Sequence, residues 1–166
     1  MPSELTNEEK RQLSNERQNA VRRAWKLEGE RVKNGKGTRD WTSTQQKEIL
    51  DRGSVRGYEG HHMKSVSLYP EYAGEPRNIQ FLTEEEHLYG AHNGDYHNLT
   101  NGYYDPELKQ MIDFNGDELK EIPELELSNN ENSEIQTIIV DEYNNTDNDI
   151  SNITDYENSQ SNEYEV

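Results

Sequence analysis

Apolar positions are sparse along this chain, and their spacing changes from segment to segment. Between Thr6 and about Val32, residues Leu13, Ala20, Val21, Ala24, Trp25 and Val32 form a thin stripe at helical spacing among Glu, Arg, Gln, Lys and Ala. Thr6 with Glu9 three residues on reads as a capping box, and Asn34-Gly35-Lys36-Gly37 reads as a stop, so the pattern predicts a long first helix. Thr42 with Gln45 opens a second, short helix that Gly53 ends, with Trp41, Ile49 and Leu50 as its expected core contacts. Residues 54–60, with Val55 and Tyr58 around Gly57, predict a short strand that delivers His61 and His62 at its end. Residues 78–82 predict a second strand, half buried, with Ile79 and Phe81 on one face. The Pro and Gly punctuation of residues 69–76 marks an ordered loop between them, and Thr83 with Glu86 opens a third helix carrying His87 near its start. These elements predict an α+β fold: a small ββα core with preceding helices.

Composition divides the 166 residues unevenly. Only 29% are hydrophobic and 31% are charged, so a large core cannot run throughout. Residues 1–104 hold 15 Lys+Arg and 16 Asp+Glu, whereas 105–166 hold 2 and 18, which together give the net charge of -17. Three regions are therefore expected: an N-terminal helix at 1–37, a compact domain at 38–104, and an acidic, largely disordered low-complexity tail at 105–166. Within that tail, residues 107–111 and 117–119 suit a helical turn or two, and 134–140, with Ile135, Ile138, Ile139 and Val140, suits an extra strand or a docking peptide.

The absence of cysteine excludes a disulfide framework and a thiolate metal site, leaving His, Asn and carboxylates as the donors. No apolar leader and no run of about 18 apolar residues occurs, which predicts a protein without a membrane span, cytoplasmic or secreted by a route that needs no signal peptide. Attention falls on Glu59-Gly60-His61-His62, then Asn78, then His87. Adjacent strand residues point to opposite sides, so one histidine of the pair can face a metal and the other a water. An imidazole of ordinary pKa is largely neutral at cellular pH and can accept a proton at once. Asn78 is placed to tie the intervening loop to the first strand through side-chain bonds to backbone.

Glu59, His61-His62, Asn78 and His87 resemble the HNH, or ββα-metal, nuclease motif, with spacing close to that of colicin-type DNase domains. The longer string, which includes Trp41, Gln45, Gly53, Pro70, Ala73-Gly74, Pro76, Ile79, Leu82, Glu86 and His92, is more similar still to GHH-signature toxins of the HNH/endonuclease VII superfamily. That resemblance implies a metal-dependent endonuclease that cuts DNA with little sequence preference and leaves 5′-phosphate and 3′-hydroxyl ends. It implies one divalent ion (Mg2+, Mn2+, Ni2+ or Zn2+) held by His61 and His87, with His62 as general base, Asn78 orienting it and Glu59 in the catalytic set. His92 is the candidate last ligand, but it follows His87 by five residues, about 140° round an ideal α-helix. Either the helix breaks at Gly90 and His92 swings back, or water or another group completes the site.

Arg52, Arg56, Lys64 and Arg77 flank the motif and are the candidate phosphate contacts, and the cations of the first helix read as a solvated face before a DNA-contacting one. His97 is a phosphate contact or a turn residue. RNA is the alternative substrate, and a histidine-metal module that binds nucleic acid without cutting is the alternative activity. A bacterial or phage toxin or defence role follows from the resemblance, with an immunity protein, or the acidic tail acting in cis, as a candidate inhibitory partner.

Overall fold

The computed structural model describes residues 3–129. Helix α1 spans Asn7–Lys33, with the Thr6–Glu9 capping box formed in both directions. Gly35, at φ 74°, turns the chain into β1, Lys36–Gly37. Helix α2, Ser43–Arg52, likewise carries its Thr42–Gln45 box and ends on a left-handed Gly53. Strands β2, Tyr58–His62, and β3, Ile79–Thr83, pair antiparallel and form the centre of the molecule. β2 begins four residues later than the sequence predicts, because Gly57 sits at φ 85° and Tyr58 N–H bonds back to the Val55 carbonyl, closing a turn over 55–58.

The two faces of this hairpin have different neighbours. Tyr58, Gly60 and His62 share one side of β2, and Glu59 and His61 share the other. Helix α1 crosses the first side so closely that a β-carbon at Gly60 would stand 2.7 Å from Cγ2 of Val21. A glycine is therefore the residue that fits immediately before the two histidines. The main core lies here: Trp25 stacks on Phe81 at 3.8 Å between ring centres, and Ala20, Ala24, Val32, Trp41, Ile49 and Ile79 surround them. Ile79, Gln80, Phe81 and Leu82 are all buried, so β3 is covered on both faces rather than half buried. Leu50, expected in the core, is 46% exposed, on the outer side of α2.

Against the other side packs a second layer. Glu86–Ala91 forms a short π-helix, and β4, Gly102–Asp105, pairs with β5, Gln110–Asp113. The Gln80 side chain bonds both backbone groups of Tyr104, donating to its carbonyl at 2.6 Å and accepting from its N–H at 2.8 Å, which fixes β4 against β3.

The compositional break at Asp105 is not the end of the fold. Residues 107–111, expected as a helical turn, instead form the bend and start of the β4–β5 hairpin. Phe114 and Leu127 are buried, and β6, Leu125–Glu126, pairs with β1. Glu121, Glu124 and Glu126 face Arg77, Arg31 and Lys36, so part of the acidic excess is neutralised by the domain it wraps. Widely spaced apolar anchors among acidic residues hold this strap down. The 134–140 segment lies outside the described residues.

Candidate metal centre

His61 projects from β2 into the space between the hairpin and the π-helix, and is fully buried. Its register partner across the hairpin is Gln80, and both of its ring nitrogens are buried without a hydrogen-bond partner. His87 and His92 come from the first turn and the cap of the π-helix. One nitrogen from each of the three imidazoles lies within 4.8 Å of the others, with ring centres 4.9–5.2 Å apart. The five-residue spacing is accommodated by neither route expected from the sequence. The helix does not break at Gly90; it widens, so that His92 N–H bonds to the His87 carbonyl at 3.1 Å and the two rings meet on one side.

Hydrogen bonds fix which nitrogens are free. His87 Nδ1 lies 2.7 Å from Glu59 Oε2, and His92 Nδ1 lies 2.7 Å from the Asn98 carbonyl. Both oxygens are acceptors, so each Nδ1 carries a proton and each Nε2 presents a lone pair to the cluster. Glu59 thus touches a cluster histidine, and its position on the same side of β2 as His61 is what brings it there. Burial and the neighbouring imidazoles push His61 well below the ordinary histidine value; the nearby Gly102 backbone opposes this slightly without making a hydrogen bond. Burial lowers His92 as well. Three imidazoles whose nitrogens converge, one of them otherwise unsatisfied in the interior, are a donor set that fits a divalent ion.

His62 faces the α1 side. Its Nε2 lies 3.2 Å from the Ala73 carbonyl and must donate to it, leaving Nδ1 unprotonated in the neutral ring. Burial, then the positive charges of Arg17 and of His87 when protonated, bring His62 down to about 4, against the opposing Ala73 bond. Asn78 is fully buried and clamps Lys64, accepting from its N–H at 2.8 Å and donating to its carbonyl at 3.0 Å. It also donates to the Tyr72 carbonyl at 3.4 Å, next to the Ala73 group that holds His62.

The cationic candidates separate. Lys64 is wholly buried, with Nζ bonded to Asn101 Oδ1 at 2.7 Å and to the Gly116 carbonyl at 3.0 Å, and lying 4.0 Å from the Tyr69 ring centre. It fastens the strap to the loop and is not available to a phosphate, a correction to its sequence assignment. Arg77 is exposed but paired with Glu121 at 2.8 Å. Arg52 and Arg56 are exposed, and their guanidinium groups meet no carboxylate among the described residues. His97 is 97% exposed and bonded to Asp95. Sequence reasoning missed Tyr96, whose ring packs 5.1 Å from His87 and 5.6 Å from His92, and the carbonyls of Ala73 and Asn98, which as backbone groups leave no residue-type signal.

Residues 7–83 match the family described as GHH signature containing HNH/Endo VII superfamily nuclease toxin. Over that stretch, just under half of its 166 residues, the chain is similar to this family of nuclease toxins. The GHH match runs through α1, Gly60-His61-His62 and Asn78 and stops at Thr83, so the π-helix that supplies His87 and His92 lies beyond it. Curated relatives include Teneurin-3 of Mus musculus, 43% identical over 83 residues, Teneurin-4 of Homo sapiens, 40% identical over 83, and Teneurin-m of Drosophila melanogaster, 37% identical over 75. These alignments cover 49%, 49% and 45% of this chain but only 3% of each relative. The GHH match supports a nuclease-type function for the domain. No helix among the described residues is long and apolar enough to cross a membrane.

Proposed function

We propose that this domain is a metal-dependent endonuclease that hydrolyses DNA phosphodiester bonds with little sequence preference. The observation that carries the reading is the pairing of two histidines on adjacent residues with opposite environments. His61 faces two further imidazoles that share a pocket with it. His62 faces the other way, with one nitrogen tied to Ala73 and the other free.

His62 Nδ1 takes a proton from a water molecule, and the water oxygen forms a bond to phosphorus. The bond from phosphorus to the 3′ oxygen breaks, that oxygen leaves with a proton from solvent, and His62 returns its proton to solvent, so that one water is consumed per 5′-phosphate and 3′-hydroxyl formed. A divalent ion held by His61, His87 and His92 supplies positive charge to the phosphoryl and departing oxygens when bound. Glu59 holds the His87 ring in its ligating orientation, and Asn78 holds the loop whose Ala73 carbonyl sets the His62 tautomer. The family description supports a toxin role, and a toxin of this kind would take an immunity protein as its partner.

The test is nicking of plasmid DNA, beside a structured RNA, by wild type and His62→Ala in Mg2+, Mn2+, Ni2+ or Zn2+, with metal affinity measured on both proteins. Cutting of DNA lost in His62→Ala with metal binding retained is the expected result. Metal binding without cutting of either nucleic acid would overturn the enzyme in favour of a binding module, and cutting of RNA alone would reassign the substrate.

A further inference from the structure

Arg17, Val21, Ala24 and Glu28 follow one another at four, three and four residues, so they lie on a single face of α1. Val21 touches Gly60, and Ala24 and Glu28 are buried, which identifies this as the face turned toward the hairpin. Arg17 stands on it one turn before Val21, yet is exposed. Arg11, Arg31 and Lys33 each meet a glutamate three residues away on the same helix. Arg17 has Leu13, Ser14, Ala20 and Val21 at the corresponding positions, and it meets no carboxylate among the described residues.

Two close approaches locate it. Val21 lies over Gly60, and Cβ of Glu16 lies 3.8 Å from where a β-carbon on Gly74 would stand. Gly60 precedes the histidine pair and Gly74 follows Ala73. Arg17 is therefore bracketed over the His62–Ala73 hydrogen bond, and helical side chains lean toward the helix N-terminus, away from the core and toward solvent at that edge. The cations nearest in sequence do not compete for the role: Lys64 is used inside the fold and Arg77 is held by Glu121.

We propose that Arg17 is a catalytic residue that binds the non-bridging oxygens of the scissile phosphodiester beside His62. This rests on the nuclease reading above. A guanidinium presents a planar fork that matches two phosphoryl oxygens, and charge placed there counts most as it builds on them during attack.

The experiment has two arms. In single-turnover cleavage of a duplex by the full chain with metal, Arg17→Ala should be slower by about 100-fold and Arg17→Lys should recover part of the loss. Metal affinity and thermal midpoint should stay at wild-type values, and Arg22→Ala, on another face of α1, should cut normally. In the second arm, a short duplex is bound to His62→Ala with and without Arg17→Ala, and the added substitution should weaken binding by about tenfold and flatten its salt dependence. Equal binding in the second arm overturns the Arg17 contact whether or not the protein cuts, as does Arg17→Ala cleaving within twofold of wild type. Arg17-dependent binding by a wild type that cuts nothing keeps the contact and overturns the nuclease reading alone.

Discussion

His92 donates its backbone N–H to the carbonyl of His87 across five residues at 3.1 Å, and this single bond lets two histidines at a non-helical spacing share one pocket with His61. A π-turn is an α-helix with one residue inserted, and the insertion is absorbed locally. Tyr89 is the natural residue to remove, since its side chain is 66% exposed. Deleting it should restore α-helical geometry with the histidines four apart, still on one face. The expected outcome, read by isothermal titration with a divalent ion, is affinity within about tenfold of wild type. A folded deletion variant that no longer binds metal would show that the widened turn itself is required.

Glu59 makes no hydrogen bond to His62, the proposed base, among the described residues; its carboxylate grips His87 Nδ1 at 2.7 Å. It should act through the metal site rather than as an acid or base. Glu59→Gln keeps a hydrogen-bonding group but loses the charge, and metal affinity should fall roughly 10–100-fold, with cleavage recovering as metal is raised. If cleavage fails to recover at saturating metal, Glu59 has a second role at the reacting atoms.

Asn78 makes its bonds from a fully buried position, so Asn78→Ala leaves the Lys64 N–H and carbonyl without their partner. A loss of about 1–3 kcal/mol in denaturant unfolding is expected. Because the Tyr72 bond holds the loop that carries Ala73, the turnover rate should fall further than stability explains, with metal affinity largely kept. An equal effect on metal affinity would mean that Asn78 supports the whole hairpin rather than the base.

How far these assignments could be read from residue order depends on what each one rests on. The opposite facing of His61 and His62 follows from the pleat of any strand, and the Thr6, Thr42 and Thr83 boxes follow from local hydrogen-bond chemistry, so these were visible in the sequence. The π-turn was not, because a 3.6-residue template puts His87 and His92 apart, and the close packing of Gly90 on Tyr104, fourteen residues on, leaves no period in the sequence. Lys64 was misassigned because a lysine beside a nuclease motif reads as exposed, whereas Asn101, Gly116 and Tyr69, distant in sequence, enclose it. The order of residues 105–129 was hidden for a similar reason: Phe114 and Leu127 are too far apart to show a period.

Acid should loosen the metal-free protein. Burial holds His61 and His92 below the ordinary 6.5, so between that value and their folded values the unfolded chain binds more protons than the native one. Stability is then fully present above about pH 6.5 and declines as pH falls below it, by roughly 1.4 kcal/mol per pH unit for each fully depressed group. Thermal melts of apo protein between pH 7.5 and 5 should show this decline, and a divalent ion should raise the melting temperature more at pH 7 than at pH 5, since protons compete for the same nitrogens. A melting temperature flat across that range would contradict the depressed values.

Removal of the acidic segment separates two ideas that composition alone merges. Leu127 is 3% exposed and packs in the main core with Trp25 and Phe81, and Ser128 is held by Asp40 through bonds of 2.6 and 2.9 Å. Leu127→Ala should therefore cost about 2–5 kcal/mol in equilibrium unfolding, as truncation of a buried leucine does. Truncation after residue 104 should abolish folding for the same reason, because it removes the strap with its anchors. Truncation after residue 129 keeps every described anchor while deleting ten of the acidic residues and no basic ones. That shorter deletion should leave unfolding unchanged and raise DNA affinity at low salt, an effect that fades as salt is added. Unchanged affinity would mean that the acidity beyond residue 129 does not restrain the site, whereas lost stability would place further anchors there.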